Sequence, residues 1–194
     1  MIIVSGLPRS GTSLMMGMLE AGGIEVFTDG VRQPDEHNPK GYREVDEIGK
    51  KLAADHNYLN RAGNHTCVKI LSPFLRHLGG SHRVIYMERD MDEIAASMQK
   101  MSGQPVTGAQ RAALERHVEA TKQYLHDRDE MHVSGCSSSA PSSLATIYIN
   151  YNQLVTEPGP EIEKLGFFIP ELDMTRALGA IDKRLYRNRN PCHQ

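Results

Sequence analysis

What this sequence lacks narrows it first. No apolar run approaches the length needed to cross a bilayer. The formal net charge is only −2, which removes any electrostatic case for a nucleic-acid partner. Cysteine is scarce: Cys67, Cys136 and Cys192 form an odd, widely spaced set of 3 with no zinc-ligand spacing. Reduced thiols in a cytoplasmic protein are expected from that usage. The 9 histidines make no His-Glu-x-x-His or similar pattern, so no metal is expected, and most of them are expected at the surface. Internal repeats are absent. No leader peptide is expected, because Ile2 already opens a predicted strand. The remainder is ordinary for a soluble globular chain, 24% charged and 39% hydrophobic over 194 residues. That is enough for one α/β domain, 1–194, with a substantial core.

Apolar patterning gives the organisation. Ile2–Ser5 is short and wholly apolar until its last residue, as a central parallel strand would be. A helix over Thr12–Ala21 follows, stopped by Gly22 and Gly23. Ile24–Phe27 suits a second short strand. Residues 28–43 are polar and rich in Pro, Gly and Asp, which predicts a long loop of the kind that usually carries function. A helix from about Glu44 to His56 is expected on the stripe Val45, Ile48 and Leu52. Cys67–Leu71 and His82–Glu88 read as further buried strands, with a short helix carrying Phe74, Leu75 and Leu78 between them. After the second of these, Asp90 is placed to cap a helix with Asp92 and Glu93 in its first turn. Methionines 91, 98 and 101 recur there at helical spacing and are expected to pack the core. A long helix over about Thr107–Met131 is expected to turn Leu114, Val118, Thr121 and Leu125 inward. Then come a Ser-rich linker at 134–143, a strand at Leu144–Tyr151, and a tail of turns and short helices with a basic end. Strands alternating with helices predict a three-layer α/β sandwich on a mostly parallel sheet, with ligands at the carboxyl ends of the strands.

Chemistry concentrates in the first 20 residues. A strand, a tight loop and a helix start are the layout of a phosphate-binding loop, in which backbone N–H groups and the helix N-terminus hold an anion. Gly6 and Gly11 have the spacing of an ATP-binding loop, but Thr12 stands where an ATPase or kinase carries lysine. The cation sits inside the loop instead, as Arg9, among the hydroxyls of Ser10, Thr12 and Ser13. Arg89, at a strand end, has Ser97 eight residues later; together they suit a second phosphate, although a strand-end arginine more often pairs with a carboxylate. Lys69 lies inside an apolar strand, where its charge needs a partner; it either points toward the bound anion or snorkels at the strand end. The loop at 28–44 offers Glu36, His37 and Glu44 as general bases, and spacing does not rank them. A solvated loop whose acids merely cap turns is the plainer alternative.

These residues resemble the sulfotransferase family. Its loop of the form Pro-Lys/Arg-Ser-Gly-Thr-Thr/Ser is matched by Pro8-Arg9-Ser10-Gly11-Thr12-Ser13, a version similar to that of tyrosylprotein sulfotransferases and many bacterial members. The resemblance implies a P-loop nucleotide-binding fold. It also implies transfer of a sulfuryl group from 3′-phosphoadenosine 5′-phosphosulfate (PAPS) to a hydroxyl or amine acceptor, without metal. Under it, Arg9 and Lys69 stabilise the sulfuryl group. Arg9, Ser10, Gly11, Thr12 and Ser13 hold the 5′-phosphosulfate, and Arg89 with Ser97 holds the 3′-phosphate. The stretch Asn38-Pro39-Lys40-Gly41-Tyr42-Arg43-Glu44 is similar to Asn-Pro-x-Gly-Tyr-Phe-Glu of bacterial members, and Leu185-Tyr186-Arg187 to a segment of their tails. Arg187 or Arg189 is expected to add a cofactor contact where the cytosolic enzymes' glycine-rich lid is missing. The histidine that cytosolic members place two residues after the lysine is Leu71 here. Other branches use a glutamate, which favours Glu44 and then Glu36 as the catalytic base.

The chain is short for that family. Its acceptor pocket is therefore expected to be small, open, or completed in a homo-oligomer, and its acceptor to be a small molecule or peptide. Two rivals remain at this level. A P-loop kinase or NTPase would use Glu88 or Asp90 to organise magnesium. A non-catalytic nucleotide-binding module would keep the loop and lack the base.

Overall fold

Five parallel strands form one sheet in the order β2-β3-β1-β4-β5. The computed structural model describes residues 1–63, 65–133 and 144–186, by backbone alone over 130–133. The strands are β1 (Ile2–Gly6), β2 (Glu25–Val26), β3 (Thr66–Lys69), β4 (His82–Glu88) and β5 (Leu144–Asn150). The helices are α1 (Thr12–Ala21), α2 (Ile48–Ala54), α3 (Met91–Ser102), α4 (Gly108–Val133), α5 (Tyr151–Thr156), α6 (Gly159–Phe168) and α7 (Met174–Gly179). Single 3₁₀ turns at Tyr58–Arg61, Ser72–His77 and Lys183–Leu185 complete the order. The chain is an α/β sandwich.

Alternation along buried strands builds both faces. Ile2 and Val4 of β1, with Ile85 and Met87 of β4, meet Met15, Met16 and Leu19 of α1, Leu154 of α5 and Leu165 of α6. Ile3, Val68, Val84 and Tyr86 point the other way, onto Leu52 of α2, Leu125 of α4 and Leu75 of the Ser72–His77 turn. Each such side chain contributes about 1.5–3 kcal/mol by leaving water, so a strand as short as β1 is held by burial on both faces. It pairs with β3 through Val4 opposite Lys69 and with β4 through Val4 opposite Ile85. The loops leaving β1, β3, β4 and β5 thus open at one edge of the sheet, where ligands of doubly wound folds bind.

Three departures from the expected elements bear on the site. The helix expected from Glu44 begins only at Ile48, because Arg43 and Glu47 adopt positive φ (48° and 50°). Thr28 Oγ1 donates to the Glu44 carbonyl (2.8 Å), and Asp29 accepts from the Asp46 N–H (2.8 Å). Local side chains thereby capture backbone groups that a helix would have used. The methionines of α3 do not fill the core: Ile94 is buried, whereas Met91 and Met98 are half-buried and Met101 is exposed. Of the four residues expected inward on α4, Thr121 and Leu125 are buried and Leu114 and Val118 only half-buried. Asp90 caps α3 as expected, accepting from the N–H groups of Asp92 (2.9 Å) and Glu93 (3.0 Å). Cys67 is a free, buried thiol pushed up to about 12 by burial. The linker at 134–143, Cys136, Cys192 and the tail from Arg187 lie outside the described residues.

Candidate functional site

The loop between β1 and α1 is shaped by two glycines, each at positive φ and in close approach to its surroundings. Gly6 has φ 145°, and a Cβ there would stand 2.5 Å from Ser10 Oγ and 2.7 Å from the Met87 carbonyl. Gly11 has φ 98°, and its Cβ would stand 2.2 Å from the Tyr151 ring. Gly11→Ala combines a left-handed backbone penalty with overpacking, together about 2–5 kcal/mol. A melting temperature lower by roughly 4–20 °C is the expected result for a chain of this size, read by thermal denaturation. No side chain caps the N-terminus of α1, so its first N–H groups remain available to an anion.

Two serine hydroxyls at the site have hydrogens left over. A serine hydroxyl offers one hydrogen and two lone pairs. Ser13 Oγ accepts from Asn38 Nδ2 (3.0 Å) and from Lys69 Nζ (3.3 Å), so its hydrogen must go elsewhere, and Ser13 lines the cavity. Ser97 Oγ accepts from Arg9 Nε (2.8 Å) and keeps its own hydrogen. Ser10 differs from expectation: its Oγ lies behind the loop against Gly6, buried and without a partner among the described residues. Its backbone N–H closes the loop onto the Leu7 carbonyl (3.2 Å). Thr12 is buried and lines the cavity with Gly11.

Arg9 is the strained centre. It takes φ 73°, a region costing a non-glycine residue about 1–2 kcal/mol. Besides Ser97 it reaches only the His37 carbonyl (3.3 Å), and no carboxylate pairs with it among the described residues. Burial, with Arg89 close by, pushes its guanidinium below the usual range, against the pull of Tyr42 and Asp35.

Lys69 is 4% exposed at the end of β3 and does not snorkel. Its ammonium meets Glu44 Oε2 at 2.6 Å and the Tyr42 carbonyl, while the other Glu44 oxygen accepts from Arg32 (2.8 Å). Arg32 in turn lies 3.4 Å over the Tyr42 ring, and the Tyr42 hydroxyl donates to Asp35 (2.7 Å). Burial pushes the Lys69 ammonium down from 10.5, and Glu44 opposes that. Below 10.5 the unfolded chain therefore binds more protons than the folded one, and stability rises as pH climbs toward that value. Glu44→Gln removes the opposing charge and widens the window toward neutral pH. The expected result is a loss near neutrality somewhat below the ~3–5 kcal/mol of a fully buried pair. Heating scans from neutral to alkaline pH should show the variant recovering more steeply than the wild type.

Arg89 follows β4 and is anchored on every side. Its Nε pairs with Glu93 (3.0 Å), its Nη1 donates to the Arg9 carbonyl (2.9 Å), and the guanidinium stacks 4.4 Å from the Tyr151 ring. Tyr186 donates to Glu93 (2.7 Å) and accepts from Asn152 Nδ2 (2.7 Å). Burial and the Glu93 carboxylate push that phenol up to about 12. The carboxylate partner that strand-end arginines usually have is present, and Ser97 bonds to Arg9 instead of Arg89.

The loop, the strand ends and the 37–44 stretch enclose one cavity of about 440 Å³. Arg9, Gly11, Thr12, Ser13, Glu44, Lys69, Arg89 and Ser97 line it together. Glu36 does not, its side chain being 86% exposed, and Arg187 lies outside the described residues. The 35–44 segment forms a wall beside the loop, bonded to it by Asn38 to Ser13 and by Arg9 to the His37 carbonyl, and is tied down by Lys40 to the Ala180 carbonyl (3.0 Å) and by Arg43 to Glu20 (2.7 Å). Sequence reasoning missed Arg32, Asn38 and Glu93. Only Glu93 left a signal, a carboxylate four residues after Arg89 in the first turn of the helix that follows it. Among the described residues no cluster of three or more metal-ligating side chains occurs, and no helix is long and apolar enough to cross a membrane.

No protein-family model matches this chain, and no curated protein matches it. Solved structures with a similar course of chain include a sulfotransferase domain from a Synechococcus olefin synthase. It is 14% identical, spans 100% of this chain and 85% of that one, and has a TM-score of 0.49. A sulfotransferase domain from the curacin biosynthetic pathway is 17% identical over 98% and 91%, with a TM-score of 0.48. An unliganded sugar kinase from Janibacter sp. is 16% identical over 95% and 96%, with a TM-score of 0.43.

Proposed function

We propose that this protein is a sulfotransferase that takes PAPS as donor and a hydroxyl or amine group of a small molecule or peptide as acceptor. The observation that carries the proposal is a cavity where Arg9, on a strained backbone, has no carboxylate and the Ser13 and Ser97 hydroxyl hydrogens have no acceptor among the described residues. Such a site is complementary to a multiply charged anion. The residues present suit that donor. Backbone N–H groups at 11–13 and Ser13 would take the 5′-phosphosulfate, and Arg89 and Ser97 the 3′-phosphate. Tyr151, Val155 and Leu185, which share the cavity, offer an apolar and aromatic wall to the base.

Bound there, the donor supplies an activated sulfuryl group. Arg9 and Lys69 would stabilise charge on its oxygens and on the departing phosphate, a task for fixed dipoles and cations needing no metal. The acceptor's proton passes to a base in the 35–44 segment, where Glu44 and Glu36 are the carboxylates and His37 the imidazole. A magnesium-dependent kinase fits less well. Glu88 is paired to Lys122 (2.6 Å) and Asp90 is spent as the α3 cap, and no lysine follows Gly11.

Thermal stabilisation by 3′-phosphoadenosine 5′-phosphate (PAP) tests this. At about a hundredfold excess over its dissociation constant, a native-state ligand adds roughly 2.7 kcal/mol, or about 5–10 °C for this chain length. The expected shift occurs with PAP without metal. A shift confined to ATP or GTP with magnesium overturns the assignment in favour of a kinase.

A further inference from the structure

Resting on the transferase proposed above, we infer that His37 is the base that receives the acceptor's proton, with Glu36 positioning its ring. The family resemblance offers a histidine only at the position of Leu71, or else a glutamate. The geometry points to a different residue, from the other wall of the cavity.

Glu44 is poorly placed for the task. Both of its oxygens already accept from cations, Lys69 and Arg32, and two cations at hydrogen-bond distance favour the carboxylate over its protonated form. Glu36 stands outside the cavity. His37 lines the cavity, with its side chain 22% exposed, and the backbone around it is pinned. Its N–H donates to Asp35 Oδ1 (2.9 Å) and its carbonyl accepts from Arg9 (3.3 Å). The next residue, Asn38, donates to Ser13 Oγ. The His37 backbone is thus fixed beside Arg9 and Ser13, the groups that would flank the sulfuryl oxygens, and its side chain lines the same cavity.

The ring is also polarised in a useful sense. Nε2 lies 3.6 Å from Glu36 Oε1, an electrostatic contact longer than a formed hydrogen bond. Nδ1 has no partner among the described residues. A carboxylate beside Nε2 favours the tautomer with hydrogen on Nε2, which leaves the lone pair on Nδ1. In the transfer, the acceptor oxygen forms its bond to sulfur. The bond from sulfur to the phosphate oxygen breaks, and its electron pair leaves on that oxygen. The acceptor's proton goes to His37 Nδ1 and from there to solvent. Water serves as the smallest acceptor, so a base at this place also promotes slow PAPS hydrolysis.

His37→Ala, His37→Gln and Glu36→Gln test this with PAP and PAPS as the only probes. PAP should stabilise all three variants as it does the wild type, which shows that they fold and that the donor site stands. Release of PAP from PAPS in water should fall about a hundredfold in both His37 variants, the lower range for a lost general base, and added imidazole should restore part of it in His37→Ala. Glu36→Gln should lower kcat several-fold with the KM for PAPS unchanged. Independently of turnover, bound PAP should slow carbethoxylation of His37 by diethylpyrocarbonate, read by mass spectrometry, and leave exposed His65 unaffected. Hydrolysis by His37→Ala within twofold of wild type overturns the assignment. So does a loss that imidazole does not restore, or a wild type that binds PAP and hydrolyses PAPS no faster than buffer. Absence of PAP stabilisation in the wild type would instead remove the transferase proposal itself.

Discussion

Replacing Arg9 by glycine is expected to leave the fold intact while abolishing its response to PAP. Two opposing effects decide the stability. Glycine accepts φ 73° without penalty, which returns about 1–2 kcal/mol and relieves a half-buried cation held near Arg89. Against that stand two lost hydrogen bonds, to Ser97 Oγ and the His37 carbonyl, each from a charged donor and worth about 1.5 kcal/mol at the low end for a half-buried cation, together about 3 kcal/mol. The balance is a net loss of about 1–2 kcal/mol, so the melting temperature should fall by only about 2–8 °C. Ligand binding has no such compensation, because Arg9 is the guanidinium in the cavity with no carboxylate of its own among the described residues. Loss of one preorganised group of this kind lowers turnover by about 10²–10³, and the stabilisation by PAP should vanish at concentrations that saturate the wild type. Arg9→Lys keeps the charge but not the planar fork, and should recover only part of the response. A large drop in the melting temperature of Arg9→Gly with its PAP response retained would show that Arg9 merely ties the loop to α3.

The parts of this site that the sequence revealed are those in which local geometry dictates residue type. Gly6 and Gly11 could be recognised because a loop that closes on an anion needs positive φ and close backbone approach. Asp90 could be recognised because an N-cap acts on the next two or three N–H groups. Choices made across the fold were not visible. Ser97 stood eight residues after Arg89, yet it is bonded to Arg9, 88 positions away. Spacing along one helix cannot say which of two arginines from neighbouring strand ends arrives. Glu44 was expected to start a helix, and local propensity supports that; a buried lysine on β3 and the capture of 44–46 by Thr28 and Asp29 override it. The methionine periodicity of α3 was genuine, but its C-terminal end borders the cavity, where Met101 lines it beside Ser97 and Lys100. A face against a ligand space and a face against the core carry the same apolar signal. The course of the sheet was legible because buried parallel strands are continuous apolar runs; the 35–44 wall was not, since its structure comes from ion pairs and turn bonds.

Removing the Glu93 carboxylate should have the largest effect on stability of any single change at the site. Glu93 is 1% exposed and Arg89 nearly as buried, so Glu93→Ala leaves a guanidinium in a low-dielectric setting without its counter-charge. Breaking a buried pair from one side costs about 3–5 kcal/mol, or roughly 6–20 °C in melting temperature. The Tyr186 hydroxyl loses an acceptor at the same time. Arg111 and Glu115 on α4 have the same i,i+4 spacing at 3.0 Å but lie on the surface. Glu115→Ala should cost only about 0.3–0.5 kcal/mol, so spacing and distance alone do not set the magnitude. Two further results separate a missing counter-charge from lost packing. Arg89→Met combined with Glu93→Leu should be far more stable than Glu93→Ala, because no charge is then stranded. PAP should stabilise Glu93→Ala by more than it stabilises the wild type, since a phosphate bound at Arg89 supplies the negative charge that the variant lacks. If the single variant melts like the wild type, Arg89 finds its charge balance elsewhere and Glu93 does not hold it in place for the donor. If it melts low and PAP adds no more than in the wild type, the anion does not bind at Arg89, and the 3′-phosphate must be sought at another of the cavity's cations.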